Sequence, residues 1–250
     1  MIARILLVAI AAGMIAGAFA TIAQAVRVQP LILEAETYEL AAPAKPAVAA
    51  KTTKKSSAET TEHSHDKDAA KGHSHGDENA WGPADGFERT AYTFLSNVLL
   101  GIGFSMVLTA AIMTAGMELT LKTGVIWGLA GFGVFTIAPA MGLPPEMPGM
   151  IAADIYDRII WWGASVICAG IGLAVLVFKE PIAFKVLGLG VIALPHIIGA
   201  PHIEIHPDLS SVPAELAVQF VMASLFTTGL FWIVLGASVG GLMQRFGKAA

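Results

Sequence analysis

The chain has 250 residues, of which 55% are apolar and only 14% charged, and its mean hydropathy is +0.68. Because soluble domains carry roughly a quarter charged residues, this composition indicates an integral membrane protein. The net charge of -4 and the lack of a basic block exclude the electrostatic footprint of a nucleic-acid-binding protein. The single cysteine, Cys168, excludes an intrachain disulfide or CxxC site.

Six apolar windows approach or reach the ~20 residues needed to cross ~30 Å of hydrocarbon. They are residues 5–26, 91–117, 124–141, 159–178, 182–198 and 216–243. We therefore predict an all-α integral membrane protein with about six transmembrane helices. Its parts are a first helix in residues 1–26, a long His-containing periplasmic loop in 27–89, and a five-helix bundle with short loops in 90–250.

The first window has a second interpretation. Arg4, the following apolar run and the small-residue triplet around Gln24 are also typical of a cleavable signal peptide. Because the apolar run is longer than usual for a signal, we expect a retained helix and keep cleavage as the alternative.

The orientation follows from lysine and arginine in the short loops, which stay cytoplasmic. A cytoplasmic start leaves Arg158 as the only basic residue in the short outer loops. The cytoplasmic pieces carry Arg4, Lys122, Lys179, Lys185, Arg245 and Lys248. We thus predict a bacterial inner-membrane protein with both termini in the cytoplasm. Six of the eight acids beyond the first loop then face outward, and this favours metal capture from outside.

The first loop contains the first candidate metal site. Residues 41–79 are rich in Ala, Lys, Thr, Ser, Glu and His and lack the apolar area to offset the entropy of ordering, so we expect disorder there. Within this stretch stand two His-Ser-His doublets with acids beside them. Their imidazoles are His63, His65, His73 and His75. Paired imidazoles suit zinc, copper, nickel or cobalt, although a merely solvated polar loop is the alternative.

A second candidate lies at the end of the fifth window. Pro195 removes a helical hydrogen bond and is expected to break the span there, leaving carbonyls free beside His196. The alternation of His202, Glu204 and His206 would place three ligands on one side of an extended segment. The alternative is that these polar residues only mark the end of a span. An imidazole at membrane depth is costly without a role, so His196 is the strongest single candidate.

A third candidate is Glu146, in a segment where four prolines in ten positions predict a rigid loop without helix. Met141, Met147 and Met150 flank this carboxylate. Thioether and carboxylate groups can bind a borderline cation, but methionines beside a span more often serve as packing.

Several absences narrow the function. The sequence has no GxxxxGK motif followed by Ser or Thr, so we expect no nucleotide hydrolysis by this chain. Only His196 is near the bundle, and this disfavours a bis-histidine haem site, so we expect no prosthetic group and no enzymatic activity. No span has an Asp or Glu near its middle, and this disfavours a self-contained proton antiporter. Transport must then use the membrane potential, an ion gradient or a partner. The pairs Gly13/Gly17 and Gly236/Gly240 have the GxxxG spacing of packed helices.

Along nearly its whole length the chain resembles the CbtA family, the probable cobalt transporter subunit. The stretches that carry the resemblance are VRVQPLILEAETYE (26–39), the His-containing loop, WGPADGFERTAYT (81–93), WGLAGFGVFTIAPAMGLPPEMPGM (127–150), ALPHIIGAP (193–201) and VPAELAVQFVMASLFTTGLFWIVLGASVGG (212–241). The resemblance implies cobalt supply for cobalamin synthesis, a small single-span His-containing partner subunit, and five spans where we count six.

The resulting hypothesis is a component of a divalent-metal uptake system, with cobalt as the ion that the resemblance implies. It would capture the ion on the periplasmic side and pass it inward, and it could also form homo-oligomers in the bilayer. The alternative is a metal-binding accessory or sensing subunit without a transport path of its own.

Overall fold

The computed structural model describes residues 2–41, 83–84, 86–147, 150, 152–201 and 212–246. Within these residues the chain is helical and has no strand, so the predicted all-α class is confirmed. The helices are α1 (Ile2–Arg27), α2 (Gln29–Ala41), α3 (Phe87–Thr114), α4 (Leu121–Phe132), a π-helical turn (Gly133–Ile137), α5 (Ala138–Ala140), α6 (Ile155–Phe178), α7 (Ile182–Ile198) and α8 (Ala214–Phe246).

All six predicted windows are helices. Five are long and apolar enough to cross a membrane, if α4, the π-helical turn and α5 are taken as one helix of 20 residues. The other, α7, has 17 residues and is about 26 Å long at ~1.5 Å per residue. This helix is therefore shorter than the ~30 Å hydrocarbon core.

Helices α1, α3, α4 and α8 form a tightly packed scaffold. α1 packs along α3 and α8, and α4 packs along α8. Glycines allow backbones to touch at these crossings: a Cβ added to Gly17 would lie 2.5 Å from the Cα of Val98, and one added to Gly236 would overlap the carbonyl of Gly124. Both GxxxG pairs therefore serve helix packing within the chain.

The scaffold buries α1 on one side. Ala12 and Ala16 are fully buried, in a cluster with Leu235 and Val239 of α8. The helix also runs unbroken through the triplet around Gln24, whose side chain accepts a hydrogen bond from Asn97 Nδ2 at 2.8 Å. This packing makes α1 part of the scaffold, and its retention as a helix stays a prediction.

Helices α6 and α7 form a separate antiparallel pair beside the scaffold. α7 packs on α6, which in turn packs on the π-helical turn and α5. Gly172 and Gly188 lie where the two helices cross closely, since a Cβ on Gly188 would be 2.8 Å from the carbonyl oxygen of Gly172. The pair is thus attached to the scaffold mainly through one kinked helix.

The π-helical turn explains how Pro139 fits into that helix. The sequence predicted no helix around the four prolines, and for Pro139 this was wrong, because it lies within α5. A proline cannot donate to the carbonyl four residues earlier. The wider turn shifts the bonding pattern, so that the N–H of Ala138 donates to Gly133 five residues back. The other described prolines of this segment, Pro144 and Pro145, are outside any helix.

The second helix, α2, was not predicted, because residues 27–89 were interpreted as a loop. Val28, Leu31, Ile32 and Ala35 have helical spacing, and Pro30 fits a helix start. These residues pack in a hydrophobic cluster, the α2 cluster, whose buried members are Val28, Ala35, Met147, Val212, Leu216 and Phe220. The end of the bundle that carries this cluster is called the α2 end.

We expect Gly236→Ala to lower the free energy of unfolding by about 1–3 kcal/mol, because the added Cβ forces apart the backbones of α4 and α8. Thermal denaturation in detergent, followed by circular dichroism, measures this loss. Gly103→Ala is the matched control, since nothing lies within 4 Å of the added atom. Equal melting temperatures for the two variants would contradict the packing role of Gly236.

Candidate metal site

The structure describes two of the nine predicted site residues, His196 and Glu146. The other seven, His63, His65, His73, His75, His202, Glu204 and His206, lie outside the described residues. Both described residues belong to the α2 end, at the ends of α7 and of the segment after α5.

His196 lies on the last turn of α7 beside Trp161 of α6. The two ring centroids are 5.6 Å apart, with the rings nearly perpendicular at 75°. The Nε2 atom of His196 is buried and has no hydrogen-bond partner among the described residues. A neutral imidazole nitrogen without a hydrogen bond is the form that binds a transition metal. This nitrogen can therefore bind a metal ion without the loss of an existing hydrogen bond.

Trp161 fixes the backbone next to His196. Its Nε1 donates to the carbonyl of Pro195 at 3.2 Å, and the same carbonyl accepts from the N–H of Gly199 at 3.0 Å. The indole fits here because Gly142 has no side chain, as a Cβ there would overlap the ring. Neither Trp161 nor Gly142 was singled out from the sequence, where nothing distinguishes Trp161 from its neighbour Trp162.

The expected break at Pro195 is corrected by the structure. α7 continues through Pro195 to Ile198, and Gly199 ends it with a φ of +93°. The proline still removes one helical bond, because the carbonyl of Val191 lies four residues earlier and receives no N–H from it. The carbonyl that loses its helical bond to Pro195 is therefore that of Val191, about one turn deeper in the helix than the predicted position beside His196.

Glu146 forms an ion pair with Arg158 of α6. The distance from its Oε2 to the guanidinium NH2 is 2.6 Å, and both side chains are about three-quarters buried. The pair borders a cavity of about 350 Å³ between the scaffold and α6, which Thr136, Pro139 and Trp162 also line. A metal role for Glu146 stays a prediction, and it requires the carboxylate to be shared with Arg158 or released by it.

The methionines near Glu146 differ in their surroundings. Met141 is exposed, whereas Met147 is only 4% exposed and belongs to the α2 cluster. The N–H of Met147 points to the sulfur of Met150 at 3.4 Å. The alternative given for these residues, packing, accounts for the position of Met147.

Among the described residues no three His, Cys, Asp or Glu side chains come together as a ready-made metal site. The structure does bring together the segments that flank the seven predicted ligands outside the described residues. Glu36 of α2 and Arg89 of α3 form an ion pair of 2.9 Å, so both ends of the connection that contains the histidine doublets meet there. Val212, which follows the segment with His202 and His206, packs in the α2 cluster.

Basic residues gather at the opposite end of the bundle. Arg4 and Arg245 line one cavity of about 450 Å³ there, together with Leu7, Leu242 and Phe246. Lys185 donates from its Nζ to the carbonyl of Leu176 near the turn between α6 and α7. Five of the eight described basic residues lie at this end, while Arg27, Arg89 and Arg158 lie at the α2 end. The charge rule assigns sidedness from the short loops, where the basic residues favour the end opposite α2.

Comparison with known proteins gives one match. The family model "Probable cobalt transporter subunit (CbtA)" matches residues 2–244. No curated protein and no solved structure matches the chain. The word subunit in the family description implies that such proteins work in a transport complex. Since the match covers nearly the whole chain, this multi-pass membrane protein belongs to the CbtA family, whose description is "Probable cobalt transporter subunit".

Proposed function

We propose that this chain is the membrane component that captures a divalent transition metal, cobalt, at the α2 end and passes it inward. The observation that carries the proposal is the buried Nε2 of His196, without a hydrogen-bond partner among the described residues, in a chain of a cobalt transporter family. Leaving a polar atom unsatisfied at membrane depth is costly, and a ligand that uses the nitrogen removes this cost.

The connectivity of the chain supports capture at this end. All seven histidines are either on the last turn of α7 or in the connections that begin and end at the α2 end. The doublets follow α2, and His202 and His206 lie between α7 and Val212. Every histidine of the chain therefore belongs to a segment that is connected to the α2 end.

The charge pattern supports the direction. With the basic end in the cytoplasm, the α2 end faces the periplasm and both termini are inside. Inward movement of a cation is then favoured by the membrane potential, by ~2.3 kcal/mol per charge per 100 mV and roughly twice that for a divalent ion. The 17-residue length of α7 supports an entrance at this end, because a span shorter than the hydrocarbon core requires local thinning of the bilayer.

A partner subunit completes the proposal. We infer a small single-span, His-containing membrane protein, which would deliver or receive the ion.

The competing function is an accessory or sensing subunit that binds metal without forming a path, and it is favoured by the lack of a three-ligand cluster among the described side chains. Cobalt uptake by cells that express this chain alone, compared with nickel and zinc uptake, distinguishes the two functions.

The first prediction concerns sidedness. A reporter that is active only in the periplasm, fused after Lys71, should be active, because this position precedes α3 and is connected to the α2 end. The same reporter fused after Lys122, near the basic end, is the control and should be inactive. Activity in the reverse pattern would overturn the direction proposed here.

The second prediction separates the two histidine groups. On a tether that the composition predicts to be flexible, the doublets can raise local metal concentration but cannot fix a geometry. Changing His63, His65, His73 and His75 to Ala should therefore weaken uptake at low cobalt and spare the maximal rate. His196→Ala should lower the maximal rate at every concentration, by roughly 10-fold or more. Initial rates of labelled cobalt uptake measure both effects.

Leu194→Ala is the matched control for His196→Ala, because Leu194 is on the same turn of α7 and half exposed. It should leave the uptake rate unchanged. A full maximal rate for His196→Ala, or equal losses from both histidine variants at saturating cobalt, would contradict this division of roles.

A further inference from the structure

The pair α6–α7 contains an unusual concentration of unsatisfied polar atoms. In the part of the chain that the structure describes, three buried side-chain atoms have no hydrogen-bond partner: Arg158 Nε, Ser165 Oγ and His196 Nε2. All three belong to this helix pair. Arg158 pairs with Glu146 and borders the cavity between the scaffold and α6, so Ser165 and His196 are the two such atoms beside the α6–α7 interface. Because unsatisfied polar atoms are costly in a membrane interior, these two point to a ligand there.

Ser165 is the most informative of the three. It is fully buried, with 0% exposure, yet its hydroxyl bonds to nothing described. Two other buried hydroxyls donate to carbonyls of their own helix, Thr21 to Gly17 at 3.0 Å and Thr109 to Ser105 at 2.7 Å. The Ser105 hydroxyl lies within hydrogen-bond distance of two carbonyls, those of Ile102 and Ala9. A bond to a carbonyl of the same helix is the usual solution for a hydroxyl within a membrane helix. Ser165 departs from it and leaves its oxygen to another partner.

Ser165 lies on the face of α6 that packs against α7. It is on the buried face of α6, between Trp161, which contacts Pro195, and Gly172, which contacts Gly188 and Ile192. The carbonyl of Val191, which Pro195 cannot bond, is on this stretch of α7. The Ser165 hydroxyl and the Val191 carbonyl are therefore candidate oxygen ligands on the two helices that also carry Trp161 and His196.

The position of Ser165 along α6 is that expected for a binding position near the middle of the membrane. Ten residues separate it from Ile155, which begins α6, and this corresponds to about 15 Å at ~1.5 Å per residue. That distance is half of the ~30 Å hydrocarbon core.

We propose that Ser165, with the carbonyl of Val191 and with His196 above it, forms a second binding position for a partly hydrated divalent transition metal, between α6 and α7. Oxygen ligands with one imidazole suit a borderline ion that must bind and leave again. The proposal rests on the proposed function and deepens it, since it identifies the α6–α7 interface as the path.

A cysteine at this position tests the proposal directly. In the full chain with Cys168→Ala, S165C introduces a thiol that loses its proton on binding cobalt and then gives a thiolate-to-cobalt charge-transfer band in the near ultraviolet. We expect this band when cobalt is added to the purified protein in lipid nanodiscs. S105C in the same background is the matched control, because Ser105 is equally buried but in the scaffold, and it should give no band.

Ser165→Ala provides the second measurement. The half-saturating cobalt concentration for uptake should rise roughly 10- to 100-fold, as is typical when a group supporting a metal site is removed. The melting temperature should not fall, because no protein hydrogen bond is lost. Wild-type uptake kinetics for Ser165→Ala, together with no band for S165C, would overturn the proposal. Absence of cobalt uptake by the unaltered chain would instead contradict the proposed function, and a band for S165C would still support the binding position.

Discussion

The close backbone contact at glycine positions is the constraint on which the rest of the structure depends. Gly13 and Gly17 of α1 meet α3, while Gly124 of α4 meets Gly236 of α8. In lipid there is little hydrophobic force between helices, so stability comes from such contacts and from hydrogen bonds like that of Ser105 to the carbonyl of Ala9. The result is a scaffold of α1, α3, α4 and α8 without space for an ion at these crossings.

The division between scaffold and α6–α7 pair then assigns different tasks to the two parts. Hydrogen bonds in the scaffold are satisfied, as in the group formed by Asn97, Thr21 and Gln24, and this is what a rigid support requires. The pair, by contrast, holds the buried polar atoms that lack partners within the described chain. We infer that the scaffold is a rigid support and that the α6–α7 pair provides the path for the metal ion. The π-helical turn and Pro139 join the two parts, at the kind of helix irregularity that often marks functional sites.

The fold could be predicted from the sequence to the extent that it depends on local hydropathy. All six windows became helices, and residues 182–198 were predicted with the bounds that the structure gives α7. α2 was missed because acidic residues such as Glu34 and Glu36 interrupt its apolar pattern. Its apolar face stabilises the helix only when it packs on Met147 and α8. Pro139 was misplaced because a π-helical turn depends on the surrounding helix, which a residue-by-residue rule does not include.

The candidate site was less predictable than the fold. His196 could be selected because imidazole at membrane depth is costly by itself. Its contact with Trp161 and the ion pair of Glu146 with Arg158 depend on how α5, α6 and α7 come together, and no local pattern shows this. Ser165 did carry a signal, a hydroxyl in an apolar span, but so did Ser105 and Thr109. Only the structure shows which of these hydroxyls already has a partner.

The central claim is that this chain itself forms a path for the metal. Cobalt uptake into proteoliposomes that contain only the purified chain, with an inside-negative potential imposed, tests it most directly. The account predicts uptake that rises with the potential and stops when the potential is removed. Binding of cobalt to these proteoliposomes without entry into their lumen would contradict the claim, and would assign the chain the role of an accessory subunit.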